Sequence, residues 1–398
     1  MFRHLPPTAA PLSWSQWAAG WQRPRPGLPP RSPSFATQLA TYLGVPACFT
    51  AASGRTALYL LLASLQAAHP GRDQVLLPAY TCPSLVKVIL DVGLQPRLVE
   101  MSPETLDYAP GRVAQALSKR TLALIYVHPF GLALPVTTLL DAVHAAGAVL
   151  IEDAAQALGA RWQGQQVGTW GDFGLYSLGP GKPLSAGGGG IVSANRPELA
   201  AALAAAWEQL PAAPARASLL AQARLAAFQL AFTPAGWWLA SKIGLHKVGN
   251  NEASWGYARR GLSRAQAQVG AALLPGLAAS NARRLANAHR LMTILAAEER
   301  LTWPRPGTGA EPFYLRLPVL AANEAQREQL HHTLWSAGIG VGRMYERTLA
   351  GWFPQLASHP FPGAEAIAGR LLTLPTHHYL ADADFDRVAA ALSRSAGG

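Results

Sequence analysis

Short apolar runs alternate with longer stretches of helical spacing through the first half of the chain. Residues 74–78 (QVLLP), 96–100, 122–127 (LALIYV), 148–151 and 191–192 read as buried strands. Residues 35–43, 58–67 and 137–146, and a stretch running through Asp91, read as helices. Strand and helix repeating at these lengths predict βαβ units, hence an α/β fold with a mainly parallel sheet covered on both faces. Ligands of such sheets gather at the carboxyl ends of the strands, and Tyr80, His128 and Asp153 all stand there. After Asn195 the pattern turns helical and alanine-rich. Residues 262–297 read as a long helix or helix pair, and 302–317, 326–337, 341–345, 364–372 and 384–392 alternate strand and helix. The expected organisation is an arm at 1–34, a large domain at 35–259 with an apolar helical insertion near 205–255, and a smaller α+β domain at 260–398. The arm, rich in proline, tryptophan and arginine, is expected to make no regular element and to lie on another surface.

Composition narrows the function classes. A chain of 398 residues is long for one core, which agrees with the division into domains. The net charge of +11 comes from arginine, but the basic residues are scattered without an interleaved aromatic patch, so a nucleic-acid partner is not expected. A basic surface suits small molecules that carry phosphate. Cys48 and Cys82 lack metal spacing and predict neither a zinc site nor a disulfide, hence a reducing compartment. The N-terminus lacks an apolar run of signal-peptide length, and the expected location is cytoplasmic. Residues 225–245 (LAAFQLAFTPAGWWLASKIGL) are barely long enough to span a bilayer, and Pro234 and Gly236 interrupt them. They suit a helix dipping into a membrane surface or docking on a partner subunit, or a hairpin packed on its own domain.

The chemistry concentrates between Gly147 and Gly190. An apolar run ends in Glu152 and Asp153, and Lys182 follows on a loop of glycines and prolines. Lysine is rare: Lys87, Lys119, Lys182, Lys242 and Lys247 are the five, and Lys182 alone is enclosed by glycines, where backbone approaches a ligand closely. Upstream, Ser53-Gly54-Arg55 opens an apolar helix. Free amides and the helix dipole there make a phosphate cup, although the same pattern also serves as an ordinary serine cap. A buried lysine near a strand-end aspartate has one economical use, which is to hold pyridoxal phosphate. The lysine binds the aldehyde and later moves protons, and the aspartate keeps the pyridine nitrogen protonated.

These segments resemble the DegT/DnrJ/EryC1/StrS family of pyridoxal-phosphate sugar aminotransferases, of aspartate-aminotransferase-like type I fold, over residues 35–200 and 260–395. IEDAAQA at 151–157 is similar to the family's strand-end acid motif, and GTWGD at 168–172 with YSLGPGK at 176–182 to the run before its lysine. The resemblance implies that Lys182 bonds the cofactor, Asp153 partners its ring nitrogen, Gln156 lies beside its oxygen, and Ser177 joins Ser53, Gly54 and Arg55 on its phosphate. Cys82 stands where the family often stacks an aromatic ring, leaving Tyr80 as a substitute. Arg259 aligns with an asparagine that reaches the phosphate from the neighbouring subunit. Tyr345 and His377, with the strand-end His128, fall at the expected substrate mouth, and glycines at 187–190 replace a usual glutamate. The implied activity is transamination of a nucleotide-linked keto-sugar, with glutamate or glutamine as donor, by a homodimer. A cofactor-binding scaffold without turnover is the alternative.

Overall fold

The computed structural model describes residues 3–10, 12–22, 34–243, 256–298 and 300–396. The large domain is built on seven strands: β1 (Ala47–Ala51), β2 (Gln74–Pro78), β3 (Gln95–Val99), β4 (Thr121–Val127), β5 (Val149–Asp153), β6 (Phe173–Ser177) and β7 (Gly190–Ala194). They lie in the order β1-β7-β6-β5-β4-β2-β3. From β6 to β3 all neighbours are parallel, and β7 runs antiparallel to both β6 and β1. Layers on both faces bury β2 at every position, as its uninterrupted apolar run requires. Helix α2 (Phe35–Leu43) has the bounds its spacing predicts. Ser34 caps its start, and Gly44 closes it in the left-handed conformation.

Two expectations fail for local reasons. The arm does contain a helix, α1 (Trp14–Ala19), because Ser13 and Gln16 form a reciprocal capping box. Residues 341–345 form no strand; Gly342 makes only an isolated bridge to Thr373. The small domain instead pairs Arg316–Leu320 with Leu371–Pro375, antiparallel, and packs helices Glu324–Ser336 and Asp382–Ala396 beside them.

The apolar insertion is two helices, Ala215–Ala231 and Pro234–Lys242, broken where Thr233 caps the second one by accepting the Gly236 N–H. No helix among the described residues is long and apolar enough to cross a membrane. Trp237 is buried against Phe232, whereas Leu219, Leu220, Leu230, Leu239 and Ile243 are exposed. Residues 244–255 of the expected insertion lie outside the described residues.

The arm is pinned across the large and small domains. Leu5 N–H donates to the Gly338 carbonyl at 2.8 Å and His4 N–H to that of Pro234 at 3.1 Å. Arg284 Nη2 donates to the Ala9 carbonyl at 2.6 Å, and His377 Nε2 to that of Pro6 at 2.8 Å. Burial holds the His377 imidazole neutral, down to about 3. As pH falls below about 6.5, the unfolded histidine takes up a proton that the folded one refuses, so stability falls from there down to about pH 3. Urea midpoints of His377→Gln, whose amide still reaches Pro6, should show an acid limb shallower than wild type by about 1.4 kcal/mol per pH unit. An unchanged slope contradicts this. A second check concerns Gly190. A Cβ there would sit 2.3 Å from the Ser53 carbonyl oxygen and 2.4 Å from Gly54 N, both backbone atoms that cannot turn aside. Gly190→Ala should cost about 1–3 kcal/mol in urea unfolding, while Gly71→Ala, with nothing within 4 Å, should be near neutral. Equal effects would contradict the packing described.

Candidate active site

Parallel register brings three strand ends level: Val127 of β4 pairs with Asp153 of β5, which pairs with Leu175 of β6. Side chains of neighbouring strand residues point to opposite faces, so Glu152 and Asp153 meet different surroundings. Glu152 is fully buried and saturated. It accepts the amides of Gly168, Trp170 and Gly171, each at 2.7 Å, and faces His128 Nε2 at 3.0 Å. Asp153 accepts only the Ala155 N–H, at 3.0 Å through Oδ1, and Oδ2 has no hydrogen-bond partner among the described residues. Burial pushes the Asp153 carboxyl up, while the Ala155 amide and the Lys182 charge pull it back.

Lys182 lies on the loop between β6 and β7. Its N–H donates to the Gly179 carbonyl at 3.2 Å, and the Leu178 carbonyl accepts from both Ala186 and Gly188 at 3.0 Å, which closes the loop. Burial lowers the Lys182 ammonium from the ordinary lysine range, Asp153 and Cys82 partly restore it, and Arg316 lowers it further. Lys182 and Asp153 feel each other's charge, yet Nζ forms no ion pair among the described residues, leaving room between them.

Helix α3 (Gly54–Ala68) begins at the same place. The Ser53 hydroxyl accepts the Thr56 N–H at 3.1 Å, so the serine is a cap. A Cβ on Gly54 would lie 3.8 Å from Ser177 Cβ, so the first turn of α3 and the end of β6 face one point. Arg55 reaches toward the Tyr257 ring, 5.9 Å from its centroid.

A pocket opens beside these groups, lined by Tyr80, Thr81, Pro129, Phe130, Gln156 and Tyr345 among others. Tyr80 and Tyr345 meet edge to face, 5.6 Å between centroids. The Tyr345 hydroxyl lies near the Cys82 thiol, and Gln156 Oε1 accepts the Phe130 N–H at 3.3 Å. Cys82, Tyr80, Gln156, Ser177 and Tyr345 are thus brought around Lys182 and Asp153.

Two expected site residues stand elsewhere. His128 is fully buried; Nδ1 accepts the Leu134 N–H at 3.2 Å, so Nε2 carries the proton given to Glu152, and neither nitrogen faces a substrate. His377 spends its N–H on Pro6 instead of lining the mouth. Arg259, expected to reach the neighbouring subunit's phosphate, lies over the Tyr59 ring of its own chain, 3.8 Å from the centroid. Two groups were missed. Arg316, at the head of an apolar strand, brings positive charge beside Lys182, and Arg284, on the helix Leu277–Leu295, lies beside Arg316. A lone arginine inside the apolar run FYLRLPVL was the available signal for the first.

This set fits pyridoxal phosphate. Asp153 offers an unused buried carboxylate oxygen for a ring N–H, Lys182 an amine held toward its neutral form, and the α3 start with Ser177 a phosphate cradle. The bound cofactor supplies an electron sink for a carbanion.

Comparison with known proteins agrees. The model of the DegT/DnrJ/EryC1/StrS aminotransferase family matches residues 28–393. An L-glutamine:2-deoxy-scyllo-inosose aminotransferase of Streptoalloteichus tenebrarius is 28% identical over 96% of this chain and 89% of its own length. A GDP-perosamine synthase of Caulobacter vibrioides is 27% identical over 90% and 88%. The crystal structure of DesV of S. venezuelae, in complex with a ketimine intermediate, superposes with a TM-score of 0.74 at 25% identity, covering 96% of this chain and 94% of that one. With the match running through both domains and across the residues that meet at Lys182, this chain belongs to the DegT/DnrJ/EryC1/StrS aminotransferase family, enzymes of type I fold that depend on pyridoxal phosphate.

Proposed function

We propose that the enzyme moves an amino group from glutamate or glutamine to the carbonyl of a nucleotide-linked keto-sugar, in amino-sugar or polysaccharide biosynthesis. The observation that carries this reading is a half-buried lysine whose amine is biased toward its neutral, basic form beside a carboxylate with one open oxygen. Lys182 would hold the cofactor and then carry the proton at the reacting carbon. Asp153 would hold the ring nitrogen, Gln156 would lie beside the ring oxygen, and Ser53, Gly54, Arg55 and Ser177 would hold the phosphate. Tyr80 and Cys82 would border the ring, with Tyr345 at the substrate mouth. Relatives that act on a glutamine donor and on a GDP-sugar support the two substrate classes. The charge of +11 favours the phosphorylated one. We include a homodimer, in which Arg259 serves the partner's phosphate.

Incubation with L-glutamine or L-glutamate and a panel of nucleotide-linked keto-sugars and free keto-cyclitols should give an aminated nucleotide sugar by mass spectrometry. Lys182→Ala should lose at least about a hundredfold in rate. Amination of free cyclitols alone would overturn the nucleotide-linked assignment. A weaker reading, contact with a membrane surface through residues 225–245, rests on the exposed Leu230, Leu239 and Ile243. Wild type should then float with liposomes, and Leu230→Ser/Leu239→Ser should not; equal behaviour removes it.

A further inference from the structure

The carboxylates of this chain are spread far less evenly than its cations. None occurs before Asp73, and Glu252 is the only one between Gln209 and Ala297. The fold gathers much of these acid-free segments into one layer of helices. Helix α1 packs against Ala215–Ala231 and Arg264–Leu273, and Ala215–Ala231 packs in turn against Pro234–Lys242. Trp17 and Gln222 join the first two: the Trp17 indole N–H donates to the Gln222 carbonyl at 3.4 Å, and Gln222 Nε2 donates to the Trp17 carbonyl at 3.2 Å. Arg216, Arg224, Lys242 and Arg264 are exposed on this layer, and none of them meets a carboxylate among the described residues.

The helix Ala215–Ala231 is apolar on two sides. Ala217, Ala221 and Leu225 are buried against the protein, and a Cβ on Gly187, in the loop that carries Lys182, would lie 2.8 Å from Leu225 Cγ. On the other side Arg216, Leu219, Leu220, Ala223, Ala227 and Leu230 recur at three- and four-residue spacing and are exposed, Leu230 by 67%. A helix apolar all round belongs between two covers, and the described residues supply the inner one alone. Leu239 and Ile243 on the next helix are exposed too, as is Trp14 of α1, by 77%.

We propose that this face docks on an anionic lipid bilayer, with the leucines and Trp14 entering the headgroup boundary and the four cations meeting anionic headgroups. Leucine, tryptophan and cations on one helical surface suit that boundary, where tryptophan also concentrates. Two copies of a face with cations and no carboxylate would repel each other, which disfavours a second copy as the cover. Nucleic acid would engage the cations but leave the leucines in water. The inference rests on the membrane contact read from residues 225–245. It moves the centre of that contact to the outer side of Ala215–Ala231 and names the charge of the lipid.

The test floats the cofactor-loaded enzyme with vesicles of phosphatidylcholine alone, and with vesicles of phosphatidylcholine and phosphatidylglycerol in equal parts. Wild type should float with the mixed vesicles only, and about 0.5 M salt should release it. Arg216→Gln/Arg224→Gln should weaken the partition at least about tenfold. Leu219→Ser/Leu220→Ser should weaken it as well, although its charge is unchanged. Both pairs are exposed, so the chromophore and the melting temperature should stay those of wild type. Equal flotation of wild type with both kinds of vesicle overturns the anionic assignment and leaves the membrane contact standing. Flotation with neither removes both. Full flotation by both variants overturns the placement on this face. The proposal also fails if the leucine pair breaks a dimer in light scattering without changing flotation, which would make a second copy the cover. It fails equally if wild type binds a DNA duplex and no vesicle.

Discussion

The site depends on what happens at one pair of consecutive residues. Glu152 and Asp153 are chemically similar and adjacent, yet the pleat of β5 sends them to opposite sides. On one side, Glu152 is a buried anion compensated by three backbone amides and an imidazole N–H. That is the arrangement in which burying a charge is tolerable. It ties the 168–171 loop to the sheet, and this loop feeds directly into β6, at whose end Ser177 and then Lys182 stand. On the other side, Asp153 is left with an unused oxygen. One carboxylate thus fixes the frame, and its neighbour is free for chemistry.

The small domain and the arm complete the site with charge of the other sign. Arg284, Arg316 and the neutral His377 lie under residues 4–10, which are held by hydrogen bonds from three separate parts of the fold. Phe313 N–H also donates to the Gly131 carbonyl at 3.1 Å, so the strand that carries Arg316 is docked on the loop that follows His128. Asp153 and Arg316 therefore bring charges of opposite sign to Lys182. The lysine's shift downward follows from burial first and from Arg316 in addition. A polarised cavity of this kind orients a ligand that has an anionic end and a cationic end.

Much of this was legible in the residue pattern, and the failures have physical causes. The strands with continuous apolar runs, β2, β4 and β5, were readable because burial on both faces leaves no other composition, and the helices because their caps were clear. Strand β6 was not, since Gly174 interrupts it. There the absent side chain admits the Gly168 carbonyl, which would be 2.2 Å from a Cβ. The direction of β7 was also hidden, because periodicity carries no information about polarity. Among site residues, Asp153, Lys182 and the Ser53–Arg55 turn were visible through local chemistry. His128 and His377 misled for a common reason: a polar residue at a strand end looks the same whether it faces a ligand or satisfies a buried neighbour. The two arginines escaped notice because their meaning lies in what they lack, a partner, and this is a property of packing alone.

The most direct measurement is to reduce the purified enzyme with borohydride and map the cofactor-bearing peptide by mass spectrometry. Five lysines are available as attachment points. The added mass should appear on the peptide containing Lys182 and on no other, and it should be absent from Lys182→Ala. Attachment at Lys87, Lys119, Lys242 or Lys247, or no attachment at all, would contradict the assignment on which the site is built.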